Sequence, residues 1–229
     1  MSSENYYKRE LILSIIRIGR VDIDTLSKSL RISKESVEKL LGELEISGYI
    51  DRISLATKYI SLGGDPEKIS QYLSWRDFEE FAMKILEEYN YLTAHSIRIP
   101  PPRGAEIDIL ALDPERKIAL VIDCKHWRRT SGYMLNKFAD ELIEKIDILS
   151  KRCFVVARRY PWIYEARYTL PVIVTLHETI DRKIRDNVLL LPIAFFRDFF
   201  NNIDYYLDVL EIKPIKISCG SSLLEKKQN

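Results

Sequence analysis

The sequence predicts an α/β layered domain preceded by a small helical module that closes with a hairpin. Three observations carry this reading. Apolar residues recur at helical spacing through the first 48 residues, the run Gly63-Gly64-Asp65-Pro66 breaks the pattern, and beyond residue 92 the period shifts to short runs rich in β-branched residues.

In the first part, Tyr7, Leu11, Ile15 and Ile18 mark one amphipathic helix. Asp22 is placed to cap a second, through Leu26 and Leu30. Ser33 caps a third, with a stripe of Val37, Leu40, Leu41 and Leu44 that closes at Gly48. Residues 49–53 and 58–62 then read as two short strands joined by a turn. A brief helical connector occupies 67–73, and Ser74 with Asp77 forms a capping-box signature for a helix whose apolar face is Phe78, Phe81, Ala82, Ile85 and Leu86. Strands are expected at 93–99, 106–112, 118–125, 153–157 and 172–176. A long helix containing Leu135, Phe138, Leu142, Ile146 and Leu149 separates the third from the fourth, and 195–210 reads as a closing helix. The boundaries expected are a first domain at 1–64, a connector at 65–73, a second domain at 74–212 and a polar tail at 213–229.

Length and composition narrow the function classes. With 229 residues and 46% hydrophobic content, the chain has apolar material for one large core or two smaller ones. Charged residues nearly cancel to a net +1, so no global field draws it to nucleic acid and such contacts have to come from local patches. The N-terminus is charged, and no stretch approaches the ~18 uninterrupted apolar residues of a membrane span. The expectation is a cytoplasmic protein with no membrane contact and no organic cofactor. Cys124, Cys153 and Cys219 are odd in number and lack CxxC spacing, which suggests neither a disulfide framework nor a zinc site.

The chemistry concentrates in "RGAEIDILALDPERKIALVIDCKHW". Alternation on the first strand puts Glu106 and Asp108 on one face, and on the second puts Val121, Asp123 and Lys125 on one face. Two-residue spacing separates side-chain origins by about 6.6 Å, close enough for Asp123 and Lys125 to serve a single site. An Asp-x-Lys by itself is most simply a pair of surface charges or a minor salt bridge. Here it comes with an acid on the preceding strand, a hairpin-length connection at 113–117, and an acidic helix before both strands.

That combination resembles the PD-(D/E)xK nuclease superfamily, and within it the Mrr-type restriction endonucleases and archaeal Holliday-junction resolvases. The matching residues are Glu79 in "DFEEFAMKILEEYNY", Asp108 in "EIDILA", and Asp123 and Lys125 in "VIDCKHW". Asn90 stands where many relatives have Gly. The resemblance, over 74–195, implies a restriction-endonuclease-like central mixed sheet flanked by helices and a metal-dependent endodeoxyribonuclease. It implies Mg²⁺, with Mn²⁺ as substitute, held by Asp108, Asp123 and the carbonyl of Cys124. Glu79, Asp108, Asp123 and Lys125 are then the catalytic set, with Lys125 acting on the attacking water or the phosphate. Glu80, adjacent to Glu79, is an equal candidate to face the site. A homodimer is implied by resemblance alone.

The first 62 residues resemble a winged helix-turn-helix domain through "ISKESVEKLLGELEISGYIDR". That likeness makes Lys34, Ser36 and Lys39 groove contacts, and Arg52 and Lys58 wing contacts, on duplex or branched DNA. Glu35, Glu38, Glu43 and Glu45 lie among them, so dimerisation or protein docking is the competing role. Arg103, His126, Arg128 and Arg129 flank the acidic strands as phosphate contacts or as a solvated basic loop. Two further function classes stay open: a non-catalytic DNA-binding regulator or assembly factor on a nuclease-like scaffold, and a nuclease directed at RNA.

Overall fold

A computed structural model describes residues 3–126, 132–177, 183–184, 187–217 and 219, in two compact units, Met1–Phe81 and Ala82–Asn229.

The first unit is helical. Helices α1 (Ser3–Ile18), α2 (Ile23–Leu30), α3 (Lys34–Glu43), α4 (Arg52–Ser61) and α5 (Pro66–Ser70) precede α6 (Trp75–Glu88), which begins here and runs on into the second unit. Leu11, Ile12 and Ile15 of α1, Leu26 of α2, Val37 of α3 and Ala56 and Ile60 of α4 form a dry interior. Capping follows the residue chemistry. Asp22 Oδ1 accepts the Thr25 amide at 3.0 Å, Ser33 Oγ accepts that of Ser36 at 3.1 Å, and Ser74 and Asp77 exchange hydrogen bonds of 3.0 and 3.2 Å at the start of α6.

Two expectations are corrected in this unit. In place of the strand pair expected at 49–53 and 58–62 there is one helix, α4, so no wing forms at these positions and a winged-helix domain is not shown. Asp51 Oδ1 caps α4 by accepting from the amides of Ile53 and Ser54 at 3.1 and 3.2 Å, and Ile53, Ala56 and Ile60 bury at i, i+3 and i+7, a helical period that β-branched content had disguised. Helix α3 closes at Leu44, before Gly48, through Glu45 in the left-handed region (φ 54), with Ile46 N–H donating to Leu41 O at 3.0 Å. The break at Gly63-Gly64 is the same kind of ending for α4. Gly63 takes φ 81, and a Cβ on Gly64 would meet the Tyr59 ring at 2.2 Å.

The second unit is a mixed sheet flanked by helices. Strands β1 (Leu92–Ile99), β2 (Ala105–Asp113) and β3 (Ile118–Lys125) form an antiparallel meander. Helix α7 (Gly132–Ala157) crosses back, and β4 (Tyr168–Thr175) runs parallel to β3. After β5 (Lys183–Ile184) comes β6 (Val188–Pro192), parallel to β4 and antiparallel to β5, then α8 (Phe196–Asn201), α9 (Ile203–Val209) and β7 (Ile215–Lys216), which pairs with β4. The sheet order is β1-β2-β3-β4-β6-β5. Phe138, Leu142, Ile146 and Leu149 of α7 bury with Leu110, Leu112, Ala119 and Val121 of the hairpin in one core.

At the turn end of the hairpin, buried Asp113 is fully engaged. Its Oδ1 accepts the amides of Glu115 and Arg116 at 2.9 and 3.0 Å, and its Oδ2 accepts from Arg116 Nη1 at 3.0 Å and from the Tyr91 hydroxyl at 3.4 Å.

Three further corrections fall here. Residues 153–157 are the end of α7, beyond a kink at Arg152 (φ −124, ψ 23), with Cys153, Val156 and Ala157 buried at helical spacing. The helix expected over 195–210 breaks at Asn202 into α8 and α9. Cys153 and Cys219 are bonded across 66 residues, with Cα atoms 5.4 Å apart, against the expectation of no disulfide. Among the described residues no helix is long and apolar enough to cross a membrane.

Candidate active site

Asp108 and Asp123 meet where β2 and β3 part. Hydrogen-bonded pairing between these strands ends at Ile109↔Ile122, and the register carried one residue further sets Asp108 opposite Asp123. On its other side β2 pairs with β1 at Ile107 and Ile109 but not at Asp108, and Ser96, opposite it in that register, has φ 51. Asp108 therefore projects from a local irregularity between two ladders. Its Oδ2 accepts the backbone amide of Cys124 at 2.8 Å, so the side chain takes an N–H that a regular ladder would have given to a carbonyl.

Asp123 is buried, only 5% exposed, and is held from two directions. Lys125 Nζ lies 2.6 Å from Oδ2 and Lys145 Nζ lies 3.0 Å from Oδ1. The Lys125 ammonium also sits 4.7 Å from the centre of the Phe138 ring, a cation–π contact that fixes its height over the core. The four charges sum to zero when both acids are ionised. The electrostatics are uneven all the same. Burial pushes the Asp108 carboxyl above its ordinary pKa, and the Asp123 charge pushes it the same way, against the Cys124 amide and the two lysines. Burial pulls on Lys145 in the opposite sense, yet the Asp123 and Asp108 carboxylates outweigh it and hold its ammonium above the usual lysine value.

Among the described residues no three His, Cys, Asp or Glu side chains converge as a metal cage. The Asp pair is a smaller, hard-oxygen donor set, matched to an ion such as Mg²⁺ that takes one or two protein carboxylates and completes its shell with other oxygens.

Of the residues singled out from sequence, Asp108, Asp123 and Lys125 come together. Cys124 is buried and outside the disulfide, and its backbone amide joins the cluster. Glu79 is half-buried on α6 and Glu80 exposed; both belong to the first unit, so the cluster described here is built from the second unit alone. Glu106 is an exposed partner of Arg98 at 3.4 Å. His126 follows β3 half-buried, Arg103 is exposed between β1 and β2, and Arg128 and Arg129 lie outside the described residues.

The basic residues of the first unit singled out from sequence have internal partners. Lys34 pairs with Asp24, Lys39 lies 3.7 Å from Glu43, and Ser36 shares a 2.9 Å hydroxyl contact with Ser33. Arg52 and Lys58, expected on a wing, are on α4. Arg52 reaches Asp77 at 3.9 Å, and the Lys58 ammonium caps the carbonyl of Leu44.

Sequence reasoning missed Lys145 and the role of Phe138. Both lie on the inner face of α7 two turns apart, and the available signal was a lysine set into the apolar stripe between Leu142 and Ile146.

Residues 74–152 match the family model of the nuclease-related domain. That span holds Asp108, Asp123, Lys125 and Lys145, and the match supports a nuclease-like domain of the PD-(D/E)xK kind. No curated protein matches the chain. Two solved structures align with it. One is protein VC1899 from Vibrio cholerae, at 11% identity over 90% of this chain and 51% of that one, with a TM-score of 0.34. The other is a half-complex of Thermococcus gammatolerans McrB AAA+ hexamers with bound McrC, at 15% identity over 86% of this chain and 51% of that one, also with a TM-score of 0.34. The chain spans about half the length of the solved chains it matches.

Proposed function

We propose that the chain is a divalent-cation-dependent nuclease that hydrolyses DNA phosphodiester bonds at the Asp108–Asp123–Lys125 cluster. The observation that carries the reading is the convergence of two carboxylates and an ammonium on one face at the parting of β2 and β3. A purely structural acid pair has no use for such an arrangement, because it raises the cost of ionising Asp108.

Asp108, Asp123 and the carbonyl of Cys124 are the residues that would hold Mg²⁺ or Mn²⁺. Bound there, such an ion would supply Lewis acidity for activating water beside the phosphate. Asp108 keeps its orientation through the Cys124 amide. Lys125, steadied by Asp123 and the Phe138 ring, neutralises charge growing on the phosphate oxygens or relays the proton of the attacking water. Arg103 and His126 supply backbone contacts that position without reading bases. In the first unit, Lys34 and Lys39 exchange an internal acid for a phosphate wherever DNA contacts them, which gives weak, sequence-independent binding.

The test is a Mg²⁺ and Mn²⁺ cleavage panel over linear, circular and branched DNA with RNA alongside. Asp108→Ala, Asp123→Ala and Lys125→Ala are each expected to lose about 10²–10³-fold in rate while keeping the far-UV circular dichroism of the parent. Undiminished cutting by these variants would remove the assignment.

A further inference from the structure

Asp123 has both carboxylate oxygens occupied by ammonium groups. This bears on how a divalent ion enters. With two aspartates and two lysines the cluster is neutral, and a bare divalent ion added to it leaves an excess of +2 in a half-buried space, where charges are weakly screened. An ion on Asp123 Oδ1 also meets the Lys145 ammonium, 3.0 Å from that oxygen.

The two lysines are not equivalent. Lys125 is on the same strand as Asp123, 2.6 Å from Oδ2, rests over Phe138, and its side chain is 16% exposed. Lys145 arrives from α7, and its side chain is 24% exposed, which leaves its long stem an outward path.

We propose that Lys145 is the resident counter-cation of the site, holding Asp123 Oδ1 in the metal-free protein and giving it up when a divalent ion binds. The inference rests on the metal-site reading above and adds a residue and a coupling to it. Lys145 competes with the ion, so affinity for metal alone is low. A phosphodiester restores the balance twice, by bringing negative charge beside the ion and by offering the displaced ammonium a new partner. Metal and substrate then bind with positive coupling, each tightening the other by the same factor.

The experiment is calorimetric titration of Mn²⁺ into the full chain, without nucleic acid, for the parent, Lys145→Met and Lys145→Arg. Lys145→Met removes the charge while keeping most of the stem, and by relieving like-charge repulsion is expected to bind Mn²⁺ about tenfold more tightly. Lys145→Arg keeps the charge and is expected to bind at the parent's affinity. Lys145→Gln is a second neutral variant should Met disturb folding, which a thermal melt reports. Equal or weaker Mn²⁺ binding by folded neutral variants, with the parent still binding, overturns the role of Lys145 and leaves the nuclease assignment standing. Absence of Mn²⁺ binding in every form overturns both.

Discussion

Strand β2 carries two aspartates five residues apart, Asp108 and Asp113, and their surroundings differ in kind. Asp113 is buried at the hairpin turn, where two amides and a guanidinium of the turn, with the Tyr91 phenol from beside β1, saturate its oxygens. Asp108 faces another carboxylate and has one backbone amide and two flexible ammonium groups for compensation. Both carboxylates are largely removed from water, so burial alone does not separate structure from chemistry. The separation lies in who answers the charge. Rigid, short-range donors make a fixed joint, whereas a like charge balanced by long side chains makes a place where another cation or an anion exchanges in.

The contrast is sharpest in catalysis. Asp123→Ala is expected to lower the cleavage rate by about 10³-fold, and Asp113→Ala to leave the rate per folded molecule within about twofold, as measured on one labelled substrate. A large loss in Asp113→Ala would erase the distinction. Stability should invert the order. Asp113→Ala removes the acceptor of two turn amides and of Arg116 Nη1, while the guanidinium keeps Asp204 at 2.9 and 2.6 Å, and is expected to cost about 2 kcal/mol in urea unfolding. A cost below about 1 kcal/mol would show the joint to be dispensable.

Asp108→Asn is expected to stabilise the metal-free protein by roughly 1 kcal/mol, about 2–4 °C in Tm, because the amide still accepts from Cys124 without carrying charge. The sign of the pH dependence follows from the raised pKa of Asp108. The fold favours the protonated acid, so the parent's disadvantage is full at neutral pH and fades as pH falls through the carboxylate range. Thermal melts in chelator between pH 7 and pH 4 should show the gap between parent and variant closing, and a gap that widens on acidification would contradict the placement. The smallest effect is Tyr91→Phe, about 0.5 kcal/mol, since its hydroxyl contact to Asp113 is long at 3.4 Å and three other donors remain.

Much of the second unit was legible. Strand β3 begins at Ile118 and ends at Lys125 as its apolar, β-branched run predicts, and Asn90 adopts a left-handed φ of 61, which Asn tolerates better than most non-Gly residues. Asp123 and Lys125 share a face by strand parity, whereas in the sequence only the resemblance to the nuclease superfamily joins Asp108 to them. Other features depend on partners that no local pattern shows. Ile50, Ile53 and Ile60 look β-branched and strand-like, yet α4 buries its apolar residues at a helical period. Val155 and Val156 misled similarly at the end of α7, where packing overrides propensity. β6, an apolar Leu-Leu-Leu run, offers no alternation to distinguish strand from helix. Lys145 was invisible for a different reason: it lies 22 residues beyond Asp123, and only the crossover of α7 returns it to the same carboxylate.

The parting of the hairpin has a mechanical consequence. At the open end of the hairpin the first residues of β2 stay with β1, at Ile107↔Ile97 and Glu106↔Arg98, while the last residues of β3 stay with β4, at Asp123↔Ile173 and Lys125↔Thr175. The two acids thus hang from opposite prongs of a fork, one anchored to the antiparallel half of the sheet and one to the parallel half. The distance between them is set by how those halves twist against each other, so a core change under Ile173 reaches the chemistry sooner than one in the turn that joins the prongs.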